Sequence, residues 1–96
     1  RRNALLAALA HAMPPGVTWR PPLGGFFVWL CAPVTVDTTA LLARAEAAGV
    51  SYLPGERFYA NGGGRNELRL AFSLLPEAEL VEGARRLGQV LKREIG

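Results

Sequence analysis

The sequence predicts an α+β fold: a two-layer small domain with a mainly antiparallel sheet of three to four strands and helices packed on one face. Three observations lead to this prediction. Apolar residues recur at helical spacing near the start, the middle and the end of the chain, and one strand alternates strictly. The loops around Pro21 and Gly62 are short enough to join antiparallel neighbours. With 96 residues, half of them apolar, the chain forms one domain at most, with a small core.

Three helices are predicted, each with recognisable ends. The first covers residues 2–13 and stops before Pro14, because proline cannot continue the hydrogen-bond ladder. Asp37 is a natural N-cap for the second helix, and Gly49 is placed to end it in a left-handed conformation. The third helix begins at Pro76, with glutamates in its first turns and basic residues in its last turn, as the helix dipole favours.

The strands are predicted from apolar runs between turns. The continuous run Phe26–Cys31 indicates a strand that is buried on both faces and therefore central in the sheet, with Val17–Arg20 and Leu68–Ser73 beside it. Residues 50–53 are predicted as a further short strand, which Pro54-Gly55 stops, and residues 56–64 as a loop. Aromatic residues fall on both faces of this sheet, so we expect an element absent from the chain to cover one face.

The alternating strand carries the most informative side chain, Arg69. Leu68 and Leu70 lie on its core face, whereas Arg69 and Ala71 lie on the opposite face. A planar guanidinium held on a strand can grip a carboxylate or a phosphate with two parallel hydrogen bonds. The simpler interpretation is an arginine that is solvated or paired with a nearby glutamate, and periodicity alone favours it.

Composition excludes several classes of function. The formal charge is +3 and the basic residues are scattered in pairs, which is not the footprint of a nucleic-acid-binding surface. No apolar stretch has the length of a membrane span, and no signal peptide is recognised. A single histidine, His11, argues against a metal site. The one cysteine, Cys31, cannot form an internal disulfide, which fits a reducing compartment and predicts a cytoplasmic location.

The glycine pair Gly24-Gly25 has two interpretations. It either forms a turn that needs positive φ, or lets a ligand approach bare backbone closely. Taken alone, the pattern favours the turn. The chain also lacks an initiator methionine and opens within a helical pattern, so we expect it to be a fragment of a longer protein.

Six segments occur in an order and spacing that resemble a known family. That family is the class I/II, or fold type I, pyridoxal-phosphate (PLP)-dependent aminotransferases, in their 2-aminoadipate or broad-specificity branch. The resemblance is to the C-terminal small domain, which also ends the aminotransferase-like part of GntR/MocR-type transcriptional regulators. It covers nearly the whole chain and is carried by Pro22–Leu30, Val36–Thr38, Ala48–Val50, Pro54–Tyr59, Asn66–Ser73 and Glu82–Leu87.

The resemblance implies roles for particular residues. Arg69 takes the position that binds the α-carboxylate of the amino-acid substrate, and Gly24 and Gly25 take the positions of a glycine pair at the edge of the substrate cleft. The Schiff-base lysine and the other residues that hold the cofactor lie in the family's large domain. The only lysine here, Lys92, matches no such motif, so we expect no catalytic, cofactor-binding or metal-binding residue in this chain.

Three functional hypotheses follow. In the first, residues 1–96 are the small domain of an aminotransferase that transfers an amino group between an amino acid and a 2-oxo acid, with PLP bound mainly by a missing large domain in a homodimeric parent. In the second, the same fold senses a ligand in a transcriptional regulator, and only then is nucleic acid a partner. The third is a free-standing module without a cofactor. The sequence upstream of Arg1 would separate the first two.

Overall fold

A computed structural model of the chain describes residues 2–20, 27–71 and 76–96, with the backbone alone for Arg2. Gly24, Gly25 and the ends of two predicted strands, at Phe26 and at residues 72–73, lie outside the described residues. The described chain has three helices, one 3-10 helix and four strands. In order, these are α1 Arg2–Ala12, β1 Thr18–Arg20, β2 Phe27–Cys31, α2 Thr38–Ala47, β3 Leu53–Pro54, the 3-10 helix Gly55–Phe58, β4 Glu67–Ala71 and α3 Glu77–Ile95.

The strands form one antiparallel sheet in the order β1-β2-β4-β3. This confirms the predicted α+β class and the predicted neighbours of β2, with β1 on one side of it and β4 on the other. Leu30 pairs with Leu68 and Val28 with Leu70, so these four side chains share one face of the sheet. That face is the buried one, and the helices pack on it.

Two strand predictions were wrong in detail. Strand β2 is buried on one face only, because its residues alternate between buried positions such as Val28 and more open ones such as Phe27, which is 41% exposed. Strand β3 is Leu53–Pro54 instead of residues 50–53. The earlier residues of that segment make other contacts instead of sheet pairs. The Val50 amide donates to a carbonyl at the end of α2, and the Tyr52 side chain is buried in the core. Proline is tolerated in β3 because this is an edge strand.

The helix ends match their sequence signals. The Asp37 carboxylate accepts hydrogen bonds from the amides of Thr39 and Ala40, both at 3.1 Å, so it caps α2 as predicted. These bonds, led by the one from Ala40, lower the pKa of Asp37. Gly49 follows the helix with φ of +93°, the left-handed conformation that glycine adopts without strain.

A buried threonine joins the helical layer to β4. Thr38 has no exposed surface, and its Oγ1 lies 2.7 Å from the carbonyl oxygen of Glu67 and 3.1 Å from that of Arg65. Its own carbonyl accepts a hydrogen bond of 2.7 Å from the Tyr52 hydroxyl. Because each of these groups is satisfied inside the protein, the start of α2 and the start of β4 are fixed relative to each other.

Gly88 sets how closely α1 and α3 pack. A Cβ at this position would clash with the backbone carbonyl of Ala12, so only glycine fits without a shift of α1. We expect Gly88→Ala to lower the free energy of unfolding by roughly 1–3 kcal/mol, the usual range for overpacking. Urea-induced unfolding, followed by circular dichroism, measures the change.

Gly83 in the same helix is the matched control. A Cβ there meets nothing within 4 Å. Gly83→Ala should therefore stabilise the protein by up to about 1 kcal/mol, because alanine has the higher helix propensity. Equal shifts in the two variants would contradict the proposed role of Gly88.

Candidate functional site

The sheet face opposite the helices carries the candidate site, and we call it the outer face. Antiparallel pairing places Trp29 beside Arg69 and Cys31 beside Glu67 on this face. Phe27 lies on the same side of β2 as Trp29, because side chains alternate along a strand. Aromatic and charged side chains therefore share a surface that the described helices do not cover.

Arg69 contacts aromatic rings rather than acids. Its Cζ lies 3.8 Å from the ring centroid of Phe27 and 4.6 Å from that of Phe58. Both distances are within the range of cation–π interactions. Its Nε is buried and has no hydrogen-bond partner among the described residues. The guanidinium is thus held in place while part of its hydrogen-bonding capacity is unused.

No carboxylate neutralises Arg69 within the part of the chain that the structure describes. The ion pairs found there are Arg44–Glu94, Arg65–Asp37 and the contacts of Glu82 with Arg85 and Arg86. The simpler interpretation of Arg69, pairing with a nearby glutamate, therefore does not hold among these residues. Its role as a carboxylate-binding residue stays a prediction.

Glu67 lies two residues before Arg69 on the same face, and its carboxylate is engaged elsewhere. The indole N–H of Trp29 donates to its Oε1 at 2.6 Å, and the Tyr59 hydroxyl donates to the same oxygen at 2.9 Å. Trp29 also contacts Phe58 edge to face, with ring centroids 5.3 Å apart and an angle of 71° between the planes. The hydrogen bond to Glu67 is the main reason that the pKa of Tyr59 is raised.

Two glycines place the loop that carries these aromatic residues. Gly55 is buried, and a Cβ there would lie 2.7 Å from both the Glu67 Cβ and the Gly64 carbonyl oxygen. At Gly64, φ is +75°, and a Cβ would clash with the Tyr59 ring. The segment predicted as a loop therefore begins as a 3-10 helix that lies tightly against β4 and brings Phe58 and Tyr59 to the outer face.

Sequence reasoning found Arg69 but missed the residues around it. Phe58 and Tyr59 belong to a segment that took part in the family resemblance without being given a role. Trp29 was predicted only as part of an apolar strand, and Glu67 only as part of the alternating one. The available signal was the period of two that any strand imposes on side-chain direction, which puts Trp29, Glu67 and Arg69 on a common face once the strands pair in this register. The other two predicted site residues, Gly24 and Gly25, lie outside the described residues.

The lysine of this chain lies far from the outer face. The chain's only lysine, Lys92, is exposed in the last turn of α3, in the helical layer on the other side of the sheet from Arg69. Among the described residues, no cluster of three or more His, Cys, Asp or Glu side chains is arranged to hold a metal ion. Within the same ranges, none of the helices combines the length and the apolar character that crossing a bilayer requires.

Sequence and fold are both similar to part of known aminotransferases. No family model matches the chain. It is 45% identical, over 95 residues, to an aromatic-amino-acid aminotransferase from Thermococcus litoralis, covering 99% of this chain and 23% of that protein. It superposes on the crystal structure of a multiple substrate aminotransferase from Thermococcus profundus with a TM-score of 0.94 and 44% identity, covering 98% of this chain and 23% of the other.

A further solved structure is similar over the same extent. An α-aminoadipate aminotransferase from Thermus thermophilus, in complex with N-(5'-phosphopyridoxyl)-L-leucine, gives a TM-score of 0.92 at 40% identity, with 98% of this chain and 24% of that one covered.

An uncharacterized HTH-type transcriptional regulator from Bacillus subtilis is 32% identical over 92 residues, which is 96% of this chain and 19% of the regulator. The chain spans about a quarter of the length of the aminotransferases it matches. Over that segment it is a relative of the PLP-dependent aminotransferases. This confirms the family resemblance that the sequence motifs indicated.

The Tyr59–Glu67 contact can be tested by titration. Glu67→Gln removes the negative charge that favours the protonated phenol, so the pKa of Tyr59 should fall toward its ordinary value of 10.0. Carbon NMR of tyrosine labelled at Cζ resolves the individual titrations. Tyr52 is the internal control, because its pKa is raised mainly by burial and should stay high in the variant. An unchanged pKa of Tyr59 would contradict the contact.

Proposed function

We propose that residues 1–96 are the C-terminal small domain of a PLP-dependent aminotransferase, and that Arg69 binds the α-carboxylate of its amino-acid or 2-oxo-acid substrate. The observation that carries this proposal is the state of Arg69. Its guanidinium is fixed against two aromatic rings and has no local counter-ion among the described residues. It also lies on the sheet face that the helices leave open. The similarity to aminotransferases supports the same function.

In this proposal, the carboxylate is bound by the edge of the guanidinium that carries Nη1 and Nη2. Phe27 and Phe58 contact Arg69 through their ring faces. These cation–π contacts do not replace hydrogen bonds from the N–H groups, which lie in the plane of the guanidinium. Because Nε has no exposed surface, a two-bond grip on a carboxylate has to use Nη1 and Nη2. Such a grip fixes the orientation as well as the position of the substrate, and orientation contributes much of the rate in reactions of bound molecules.

The remainder of the site belongs, in this proposal, to the rest of the parent protein. PLP would act there as the electron sink for amino-group transfer, and the missing large domain would hold it, since Lys92 is exposed on the far layer of this domain. That domain, in a homodimeric and cytoplasmic parent, would cover the outer face and exclude water from the bound substrate. Gly24 and Gly25 would line the edge of the cleft by backbone contact.

A transcriptional regulator is the second candidate. The identity to the HTH-type regulator from Bacillus subtilis supports it, and the present residues do not separate the two functions. In a regulator, Arg69 would bind the carboxylate of a sensed ligand. A basic winged-helix segment upstream of Arg1, together with ligand-dependent DNA binding by the full-length protein, would decide for this candidate.

The carboxylate role of Arg69 is tested in the full-length protein. We expect Arg69→Ala to lower kcat/KM for amino-acid substrates, mainly by raising KM, because the change removes one partner of a desolvated charge pair. The corresponding loss of transition-state stabilisation is roughly 2–5 kcal/mol. Arg65→Ala is the matched control, since that arginine is 69% exposed and pairs with Asp37. A KM that changes no more in Arg69→Ala than in the control would remove the carboxylate assignment.

The division of labour with the large domain is tested on the 96-residue chain itself. Mixing it with PLP should leave the absorbance spectrum of PLP unchanged, because its only lysine, Lys92, is exposed on the last helix and matches no motif of a Schiff-base lysine. Absorbance titration provides the measurement, with the full-length protein as the positive control. A stoichiometric spectral change with the short chain would show that this domain binds the cofactor by itself.

A further inference from the structure

The sequence places an internal carboxylate, that of Glu67, close to Arg69, where it could compete with a ligand for the guanidinium. Glu67 and Arg69 lie on the same face of β4, and residues two apart on a strand are separated by about 7 Å. Long side chains at that spacing can reach each other. An ion pair between them would occupy Arg69 with an internal carboxylate, present at a high effective concentration compared with any ligand from solution.

The structure shows how this ion pair is avoided. Trp29 and Tyr59 both donate to Oε1 of Glu67, at 2.6 and 2.9 Å. Hydrogen bonds to an ionised carboxylate are stronger than those between neutral groups, so two of them can hold the side chain away from its neighbour. The two donors come from different elements: Trp29 is the cross-strand partner of Arg69, and Tyr59 follows the 3-10 helix.

The same tryptophan also supports the other side of Arg69. Its ring stands edge to face against Phe58, and Phe58 in turn contacts the guanidinium. Trp29 is therefore in contact with both the acid that could block Arg69 and the ring that positions it. Tyr59 donates to Glu67, and the rings in cation–π contact with Arg69 among the described residues are those of Phe27 and Phe58, so the two donors can be examined separately.

We propose that Trp29 and Tyr59 are positioning residues that hold the Glu67 carboxylate away from Arg69 and so keep the guanidinium available to an external carboxylate. The identity of that external carboxylate as a substrate rests on the proposed function. The arrangement of Glu67 does not, because it concerns only residues of this chain.

The test compares three forms of the full-length protein. Trp29→Phe combined with Tyr59→Phe retains an aromatic ring at both positions but removes both donors, which frees Glu67 to pair with Arg69. We expect KM for amino-acid substrates to rise roughly fivefold with little change in kcat, the effect of a competing, partly exposed ion pair. Adding Glu67→Gln to this double variant should return KM close to the wild-type value, because the neutral amide cannot form the ion pair.

The rescue separates positioning from simple stabilisation. If the two hydrogen bonds only stabilised the fold, Glu67→Gln would not restore KM, and that result would overturn the proposal. An unchanged KM in the double variant would overturn it as well. Should the double variant fail to fold, Tyr59→Phe alone, with and without Glu67→Gln, gives the same comparison at a half-exposed side chain.

A crystal structure of the double variant provides a readout that does not depend on activity. It should show Glu67 within 4 Å of the Arg69 guanidinium, the distance used for an ion pair. If Arg69→Ala left KM unchanged, the proposed function would fail while this structure still decided the role of Trp29 and Tyr59. If Arg69→Ala raised KM but the double variant showed neither the ion pair nor a higher KM, only the positioning proposal would fail.

Discussion

The arrangement of this domain depends on a guanidinium that touches two aromatic rings and pairs with no carboxylate in the described structure. Cation–π contacts of this kind are worth about 0.5–2 kcal/mol each. Leaving a buried donor such as the Arg69 Nε without a partner costs about 1–3 kcal/mol. The two effects are of similar size, so stability alone does not explain why an arginine occupies this position. The proposed carboxylate role offers a reason for the arginine, since an incoming anion would bind Nη1 and Nη2, which no carboxylate occupies among the described residues.

The rest of the fold holds that guanidinium in place without neutralising it. Thr38 fixes the start of β4 against α2 through the carbonyl of Glu67. Gly55 lets the following 3-10 helix lie directly on β4, which brings Phe58 over Arg69. These contacts come from the core side and from one sheet edge. Among the described elements, α1, α2 and α3 therefore leave the outer face uncovered, and its polar and aromatic groups lie on the surface of this domain.

Local features of the chain were predictable because their physical causes are local. Asp37 caps a helix through the two amides that follow it, and Gly49 ends the same helix by adopting positive φ. Alternation placed Leu68 and Arg69 on opposite faces of their strand. The errors arose where a distant part of the fold decided the outcome. The strand expected at residues 50–53 was displaced because Tyr52 is drawn into the core, and β2 is open on one side because the described helices cover only the other.

The sequence by itself determined the α+β class, the helix ends, the two neighbours of β2 in the sheet and the presence of Arg69 on the face away from the core. Periodicity and capping encode these features, since they depend on neighbours along the chain. Only the tertiary structure decided that Phe27 and Phe58 contact Arg69, and that Trp29 and Tyr59 hold Glu67. Those contacts join residues up to 42 positions apart, as between Phe27 and Arg69. No repeat or local signal records which residues meet when a loop folds back onto a sheet.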